Sequence, residues 1–129
     1  MPGIDGAKIL IMATSRFEES ELFGPRELLL AKGAEVALAS LDRAEIQATV
    51  HDELGKKITP DLTIGEARQD DYDALMLPGG VGNPDRLRVD AAAVTLIKAF
   101  AAAGKPVAAI CHAPWLLVEA DLLLSLIHI

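Results

Sequence analysis

Cysteine is nearly absent from this sequence, which contains one, Cys111, among its 129 residues. A single cysteine excludes a disulfide within the chain and any zinc site built from several cysteines. Aromatic residues make up only 4% of the chain, so alanine, leucine, isoleucine and valine must fill its core. Near the N-terminus the apolar run covers only residues 9–13, which is too short for a membrane span, and no charged secretory start precedes it. We therefore expect a protein of the reducing cytoplasm with no membrane partner.

Positive charge is also scarce, because 12 lysines and arginines face 19 acidic residues and give a formal net charge of −7. Binding to a phosphate backbone needs clustered lysines and arginines, so we expect no nucleic-acid partner. The chain has neither a Walker loop nor a G-x-G-x-x-G motif, and His51, His112 and His128 lack the spacing of metal ligands. The sequence therefore indicates no cofactor and no metal.

Apolar segments of two kinds predict a single α/β domain over residues 1–129. The hydrophobic fraction of 51% and the charged fraction of 24% are typical of a globular chain. Short continuous apolar runs, typical of strands buried on both faces of a parallel sheet, alternate with segments of helical spacing. We predict strands at residues 8–13, 35–39, 74–77 and 107–110.

Capping residues place the ends of two predicted helices. Asp90 is predicted to be the N-cap of an alanine-rich helix over residues 91–103, which Gly104 closes. An earlier helix is predicted to end near Gly33. Pro25 lies within that segment and is predicted to mark the start of a helical turn or a kink.

Two further segments are assigned more coarsely. Residues 41–72 are more polar and are predicted to form short irregular strands, with a hairpin around residues 53–56. A helix is predicted over residues 114–120, with a proline near its first turn.

Loops that follow the predicted strands carry the residues suited to chemistry. Segments 14–21, 78–80 and 111–112 each follow a strand, and the carboxyl ends of parallel strands share one edge of a sheet. Cys111 stands between a buried strand and a helix, as in a nucleophile elbow, where a helix N-terminus favours the thiolate. A buried, inert cysteine is the alternative. His112 is a candidate acid or base, with a surface or capping role as its alternative.

Acidic residues and glycines complete the candidate site. Glu18 and Glu21 are three positions apart, so a helical turn would place them on one face, where a protonated carboxylate could hydrogen-bond the thiolate. Alternatively, they are acids of a first helical turn, favoured by the helix dipole. Gly79 and Gly80 suit either an oxyanion hole with exposed amides or an ordinary tight turn.

Five segments together carry a family resemblance: residues 8–13 (Lys-Ile-Leu-Ile-Met-Ala), 17–22 (Phe-Glu-Glu-Ser-Glu-Leu), 73–80 (Asp-Ala-Leu-Met-Leu-Pro-Gly-Gly), 83–88 (Asn-Pro-Asp-Arg-Leu-Arg) and 104–114 (Gly-Lys-Pro-Val-Ala-Ala-Ile-Cys-His-Ala-Pro). In this order they are similar to the DJ-1/PfpI superfamily, and most similar to its PfpI-like branch. The resemblance implies a flavodoxin-like, mostly parallel sheet sandwiched by helices, with a site like that of class I glutamine amidotransferases. It also implies homo-oligomers with sites near their interfaces, and Gly80 as the glycine on the oxyanion side.

The resemblance implies roles for further residues of the site. It makes Cys111 the nucleophile and His112 its neighbour. It makes Glu21 the carboxylate that contacts the cysteine, with Glu18 as a second acid beside it. Asp85 matches a position at which some relatives offer an acid to the histidine of an adjoining subunit.

The implied activity is that of a cysteine-dependent enzyme acting on small reactive carbonyl compounds, as a glutathione-independent glyoxalase or deglycase, or acting as a hydrolase. A thiolate would attack an aldehyde to give a hemithioacetal. One alternative is a peptidase or amidase that works through a thioester. Another is a non-enzymatic, redox-sensing stress protein whose cysteine oxidises to sulfinic acid.

The tail, residues 124–129, departs from the family pattern, which continues with a basic Lys/Arg-Gly stretch, further strands and a final helix. We therefore expect the C-terminal part of the domain to be missing and the tail to be non-native. An exposed sheet edge and uncovered apolar faces would then favour aggregation, and a product without function is a further alternative.

Overall fold

Two sheets and two long helices form the described part of the chain. The computed structural model describes residues 5–51, 53–80, 86–87, 90–109 and, for the backbone alone, 127–128. Short 3₁₀ turns cover Ile64–Glu66 and Gln69–Asp71. The strands are β1 (Lys8–Met12), β2 (Phe17–Glu18), β3 (Glu35–Ser40), β4 (Ile46–Val50), β5 (Glu53–Ile58), β6 (Leu62–Thr63), β7 (Ala74–Leu77), β8 (Val107–Ala109) and β9 (Ile127–His128), and the helices are α1 (Glu19–Ala31) and α2 (Ala91–Ala102).

The larger sheet has six strands in the order β6-β3-β1-β7-β8-β9, and every neighbouring pair is parallel. The chain moves outward from β1 to β3 and β6, then returns to the other side of β1 to form β7 and β8. The strand order therefore reverses between β1 and β7. In open parallel sheets, ligands bind beside the carboxyl ends of the strands at such a reversal.

Alternate residues of β1 face the two helices. Ile11 packs in a cluster with Leu22 of α1, whereas Leu10 and Met12 pack in a cluster with Phe100 of α2. Successive side chains of a strand point to opposite faces, so β1 is buried on both sides, which explains its unbroken apolar run. The predicted fold class, a mostly parallel sheet flanked by helices, is confirmed.

The predicted strands occur where the apolar runs placed them. β1, β3 and β7 match their predicted bounds within one residue, and β8 covers residues 107–109. Residue 110 and the predicted helix over 114–120 lie outside the described residues. In the tail, the backbone of β9 runs parallel to β8, with Ile127 opposite Ala108.

Helix α2 follows its sequence pattern closely. The Asp90 side chain accepts a hydrogen bond from Ala93 N at 2.8 Å, which confirms the predicted N-cap. Ala93, Leu96, Ile97 and Phe100 are buried, at the spacing of a single helical face. The helix ends at Ala102, one residue before its predicted end.

Helix α1 begins earlier than its proline suggests. It starts at Glu19 and runs through Pro25 to Ala31. The prediction that Pro25 marks the start of a helical turn is therefore wrong, and the alternative of a kink at Pro25 stays a prediction. Leu22 is fully buried, and this packing stabilises the turn that precedes the proline. Tertiary contacts therefore override the local preference of proline for a first turn.

Strands β4 and β5 form the predicted hairpin, but its turn lies earlier in the chain. Val50 pairs with Glu53, so the turn lies between these two residues and residues 53–56 belong to β5. His51 has φ +58°, as two-residue hairpin turns require. Gly55, which suggested a turn, permits close approach instead, because an added Cβ would lie 2.7 Å from Glu19 Oε1.

Candidate active site

The loops that follow β1 and β7 meet at the carboxyl edge of the sheet, where the strand order reverses. Glu18 N donates to Gly79 O at 3.2 Å, which joins the two loops directly. Arg16 N donates to Gln47 O at 2.7 Å, which joins the first loop to β4. These bonds join three segments that are remote in sequence beside the reversal of strand order, which is where open parallel sheets form a ligand-binding crevice.

Gly80 packs against the backbone of the first loop. An added Cβ would lie 2.5 Å from Arg16 O and 2.8 Å from Glu18 N, closer than real Cβ atoms approach such groups. Gly80 also has φ +99°, a conformation that glycine adopts without steric cost. Both observations require glycine at position 80, so the wall of the crevice here is bare backbone.

The carboxylate of Glu21 lies at the second loop. Its Oε1 accepts a hydrogen bond from Gly79 N at 2.9 Å. The Gly79 amide, predicted to line an oxyanion hole or to belong to an ordinary tight turn, thus donates to a carboxylate of the first turn of α1. Glu21 and Gly79, both predicted from the sequence, are brought together by this bond.

The carboxylate of Glu18 faces a different segment. Glu18 is the extended N-cap residue of α1, with φ −75° and ψ 124°, because β2 pairs with β4 up to this position. Its oxygens accept from His51 N at 3.1 and 3.2 Å. The prediction that one helical turn carries Glu18 and Glu21 on the same face is therefore wrong.

Sequence reasoning missed two residues of this region. Glu19 Oε1 accepts from Lys56 N at 2.7 Å, so a third carboxylate at the start of α1 binds the hairpin. Arg16 has φ +68°, although it is not a glycine. A run of acids at a predicted helix start was the available signal for Glu19, and the sequence carries no comparable signal for the conformation of Arg16.

The remaining predicted site residues, Cys111, His112 and Asp85, lie outside the described residues. Ala109, the last residue of β8, pairs with Leu77, which directly precedes residues 78–80. Cys111 follows Ala109 by two positions in the sequence, as Gly79 follows Leu77.

In the described parts of the chain, no three His, Cys, Asp or Glu side chains come together as a metal ion would require. Across the same residues, none of the helices is both long and apolar enough to cross a membrane.

Comparisons with known proteins agree with this architecture. The pattern of the DJ-1/PfpI family matches residues 7–126. Deglycase PfpI of Pyrococcus furiosus is 39% identical over 116 residues, which are 90% of this chain and 67% of that protein. General stress protein 18 of Bacillus subtilis is 38% identical over 119 residues, which are 92% of this chain and 67% of that protein.

A solved relative shares the fold. The structure of oxidized DJ-1 from Toxoplasma gondii superposes with a TM-score of 0.82 at 30% identity, over 93% of this chain and 64% of that one. The chain thus spans about two thirds of the length of the relatives it matches. On the family pattern, the relatives and the shared fold, this chain belongs to the DJ-1/PfpI family.

Proposed function

We propose that this protein is a cysteine-dependent enzyme that acts on small reactive carbonyl compounds. The hydrogen bond of 2.9 Å between Gly79 N and Glu21 Oε1 carries the proposal, because it fixes a carboxylate at the reversal of strand order. β8 lies next to β7, and Cys111 follows β8 by two positions. The name of the Pyrococcus furiosus relative, a deglycase, supports carbonyl chemistry.

In the proposed reaction the thiolate sulfur of Cys111 adds to the carbonyl carbon of an aldehyde. A C–S bond forms, the C=O π bond opens onto the oxygen, and that oxygen takes a proton to complete a hemithioacetal. The carboxyl group of Glu21 is proposed to hold the transferred proton. His112 is proposed as the second acid and base.

A 2-oxoaldehyde would continue from the hemithioacetal to a 2-hydroxy acid. The proton on the carbon that holds sulfur moves to the neighbouring carbonyl carbon, and the hydroxyl proton of the hemithioacetal moves to the oxygen of that carbonyl. The carbon that holds sulfur then becomes the carbonyl carbon of a thioester. Water then hydrolyses the thioester and returns the thiol of Cys111. Both proton transfers need groups that alternate between acid and base, which are the roles proposed for Glu21 and His112.

Three other predicted residues have supporting roles in this proposal. The Gly80 amide is the proposed oxyanion donor, because the Gly79 amide already contacts Glu21. Glu18 is proposed to position the hairpin turn through its bonds to the amide of His51. Asp85 is proposed to face the histidine of an adjoining subunit in a homo-oligomer.

Cys111 is the single thiol, so its alkylation tests the proposal directly. We expect the rate with iodoacetamide to rise with a pH midpoint well below the reference value of about 8.5 for a free cysteine. The wild-type protein should consume methylglyoxal, and Cys111→Ser should not. Glu21→Gln keeps an acceptor for the Gly79 amide but cannot carry the proton, so turnover should fall by about 10²–10⁴-fold while alkylation persists. A wild-type thiol that reacts like an unfolded one overturns the proposal.

Redox sensing is the second candidate function, since the solved Toxoplasma gondii relative is an oxidized form. Mass spectrometry after mild peroxide treatment would show the addition of two oxygen atoms at Cys111. Ready formation of this sulfinate without consumption of methylglyoxal would favour the second candidate. Peptide cleavage that depends on Cys111 would instead favour a peptidase.

A further inference from the structure

The backbone of Arg16 is held in an unfavourable conformation at the crevice. Its φ of +68° lies in the left-handed region. Residues other than glycine rarely adopt this backbone conformation, because the Cβ atom crowds the following carbonyl oxygen. Two contacts hold it there, since its amide donates to Gln47 O at 2.7 Å and its carbonyl oxygen lies against Gly80. Such conformations cluster at functional sites, where the surrounding structure maintains them.

The guanidinium of Arg16 has no anionic partner in the described parts of the chain, where the ion pairs join other residues. Its neighbours in sequence include three glutamates, and the side chain is exposed. The carboxylates of Glu18, Glu19 and Glu21 instead accept hydrogen bonds from backbone amides. The nearest acids in sequence are thus already engaged, and the cation remains available to an anion from solution.

The positive charge of Arg16 opposes the negative charge of the chain as a whole. A net charge of −7 repels small anions from most of the surface. Arg16 lies on the loop after β1, and its exposed guanidinium counters that field locally. Its fork of N–H donors matches the oxygens of a carboxylate or a phosphate. We propose that Arg16 is a specificity-determining residue that favours aldehydes carrying a carboxylate or a phosphate group.

This inference rests on the proposed function, because it assigns a substrate class to the same crevice. The reaction is unchanged, since the sulfur of Cys111 adds to the aldehyde carbon and the aldehyde oxygen takes a proton. Arg16 contributes only to holding the anionic end of the substrate. Its effect should therefore be confined to the charged member of a pair of otherwise similar reagents.

The first test compares iodoacetate with iodoacetamide as alkylating agents of Cys111. The two reagents are similar in size, and only iodoacetate carries a negative charge. In Arg16→Gln the ratio of the iodoacetate rate to the iodoacetamide rate should fall roughly three- to tenfold, as expected for the loss of one unit charge that attracts only the charged reagent. The ratio is the readout because a change in the thiolate fraction of Cys111 alters both rates equally. Arg16→Lys should recover much of the loss. Lys32→Gln is the control, because it removes one positive charge at the end of α1, on the opposite edge of the sheet.

The possible outcomes separate this inference from the proposed function. If Cys111 of the wild-type protein reacts like an unfolded thiol with both reagents, the proposed function fails and the inference fails with it. If Cys111 is reactive and Arg16→Gln leaves the iodoacetate-to-iodoacetamide ratio unchanged, or Lys32→Gln lowers it equally, the inference alone is overturned. Should Arg16→Gln fold poorly, Arg16→Gly supplies the same test, because glycine tolerates this φ.

The second test distinguishes the two anionic groups. Protection of Cys111 from iodoacetamide is measured with glyoxylate against methylglyoxal, and with glyceraldehyde 3-phosphate against glyceraldehyde. Stronger protection by glyoxylate that Arg16→Gln abolishes identifies carboxylate recognition, and the same result with glyceraldehyde 3-phosphate identifies phosphate recognition. Equal protection by the charged and neutral members of both pairs overturns the inference.

Discussion

The two long helices of the described chain use their acidic residues differently. Asp90 caps α2 by accepting from Ala93 N at 2.8 Å, a bond within the start of that helix. Glu18, the N-cap of α1, makes no side-chain bond of this kind. Its carboxylate, with those of Glu19 and Glu21, accepts from backbone amides of other segments. The acid of α2 therefore stabilises its own helix, whereas the acids of α1 arrange the crevice.

The helices also differ in how they are held to the sheet. α2 buries four apolar side chains, whereas α1 buries only Leu22 and contains Gly24 and Pro25, two residues of low helix propensity. Most stabilisation of a short helix comes from packing. We infer that α2 anchors the fold, and that α1 depends more on the bonds made at its start.

The largest expected effect tests this difference in packing. Phe100 of α2 is fully buried, so Phe100→Ala should lower the free energy of unfolding by about 3–5 kcal/mol. Leu28 of α1 is 58% exposed, and Leu28→Ala should change it by no more than about 0.5 kcal/mol. Urea denaturation followed by circular dichroism measures both changes, and equal losses would contradict the comparison.

A smaller effect tests the difference between the acids. Asp90→Ala should lower the free energy of unfolding by about 1 kcal/mol, because the amide of Ala93 loses its cap. The pH profile of Cys111 alkylation should stay unchanged, in contrast to the loss of turnover expected for Glu21→Gln. Asp90→Ser restores an acceptor and serves as the control. An Asp90→Ala protein with an altered alkylation profile would show that the two helix starts are not independent.

The smallest expected effect concerns Glu66, an acid that stabilises the 3₁₀ turn Ile64–Glu66 in which it lies. A hydrogen bond from the backbone of Thr63 lowers the pKa of Glu66 below its ordinary value of 4.5, and the side chains of Arg43 and Thr63 lower it further. The stabilisation is complete above the ordinary pKa and is lost as the pH falls through the lowered folded value. Melting temperatures between about pH 6 and pH 3 should show the advantage of wild type over Glu66→Gln shrinking with acidity. A constant difference across this range would contradict the assignment.

Sequence patterns predicted those parts of the fold that depend on residues close together in the chain. The apolar run of β1 and the capping of α2 by Asp90 are of this kind, and both are confirmed. β2 escaped prediction because two residues, Phe17 and Glu18, become a strand only by pairing with β4. That distant pairing also keeps Glu18 out of the helix, which is why the predicted shared face with Glu21 was wrong.

In the candidate site, too, the sequence alone could not show which distant residues contact one another. Glu21 and Gly79 were each identified from the sequence, but the bond between them joins positions 58 residues apart. Glu19 was missed because its importance depends on Lys56, which is 37 residues away. Arg16 was missed because its conformation is imposed by β4 and by Gly80. Sequence patterns thus identified candidate residues, and the pairing of distant segments determined their partners.

Gly80 sets a limit on how this crevice can be redesigned. Any side chain at this position would collide with the backbone of Arg16 and Glu18, so the wall cannot be reshaped there without moving the loop after β1. Position 16 is different, because its side chain is exposed to solvent and only its backbone is constrained. An engineer who wishes to change the substrate range of this crevice should therefore vary residue 16 and leave residue 80 untouched.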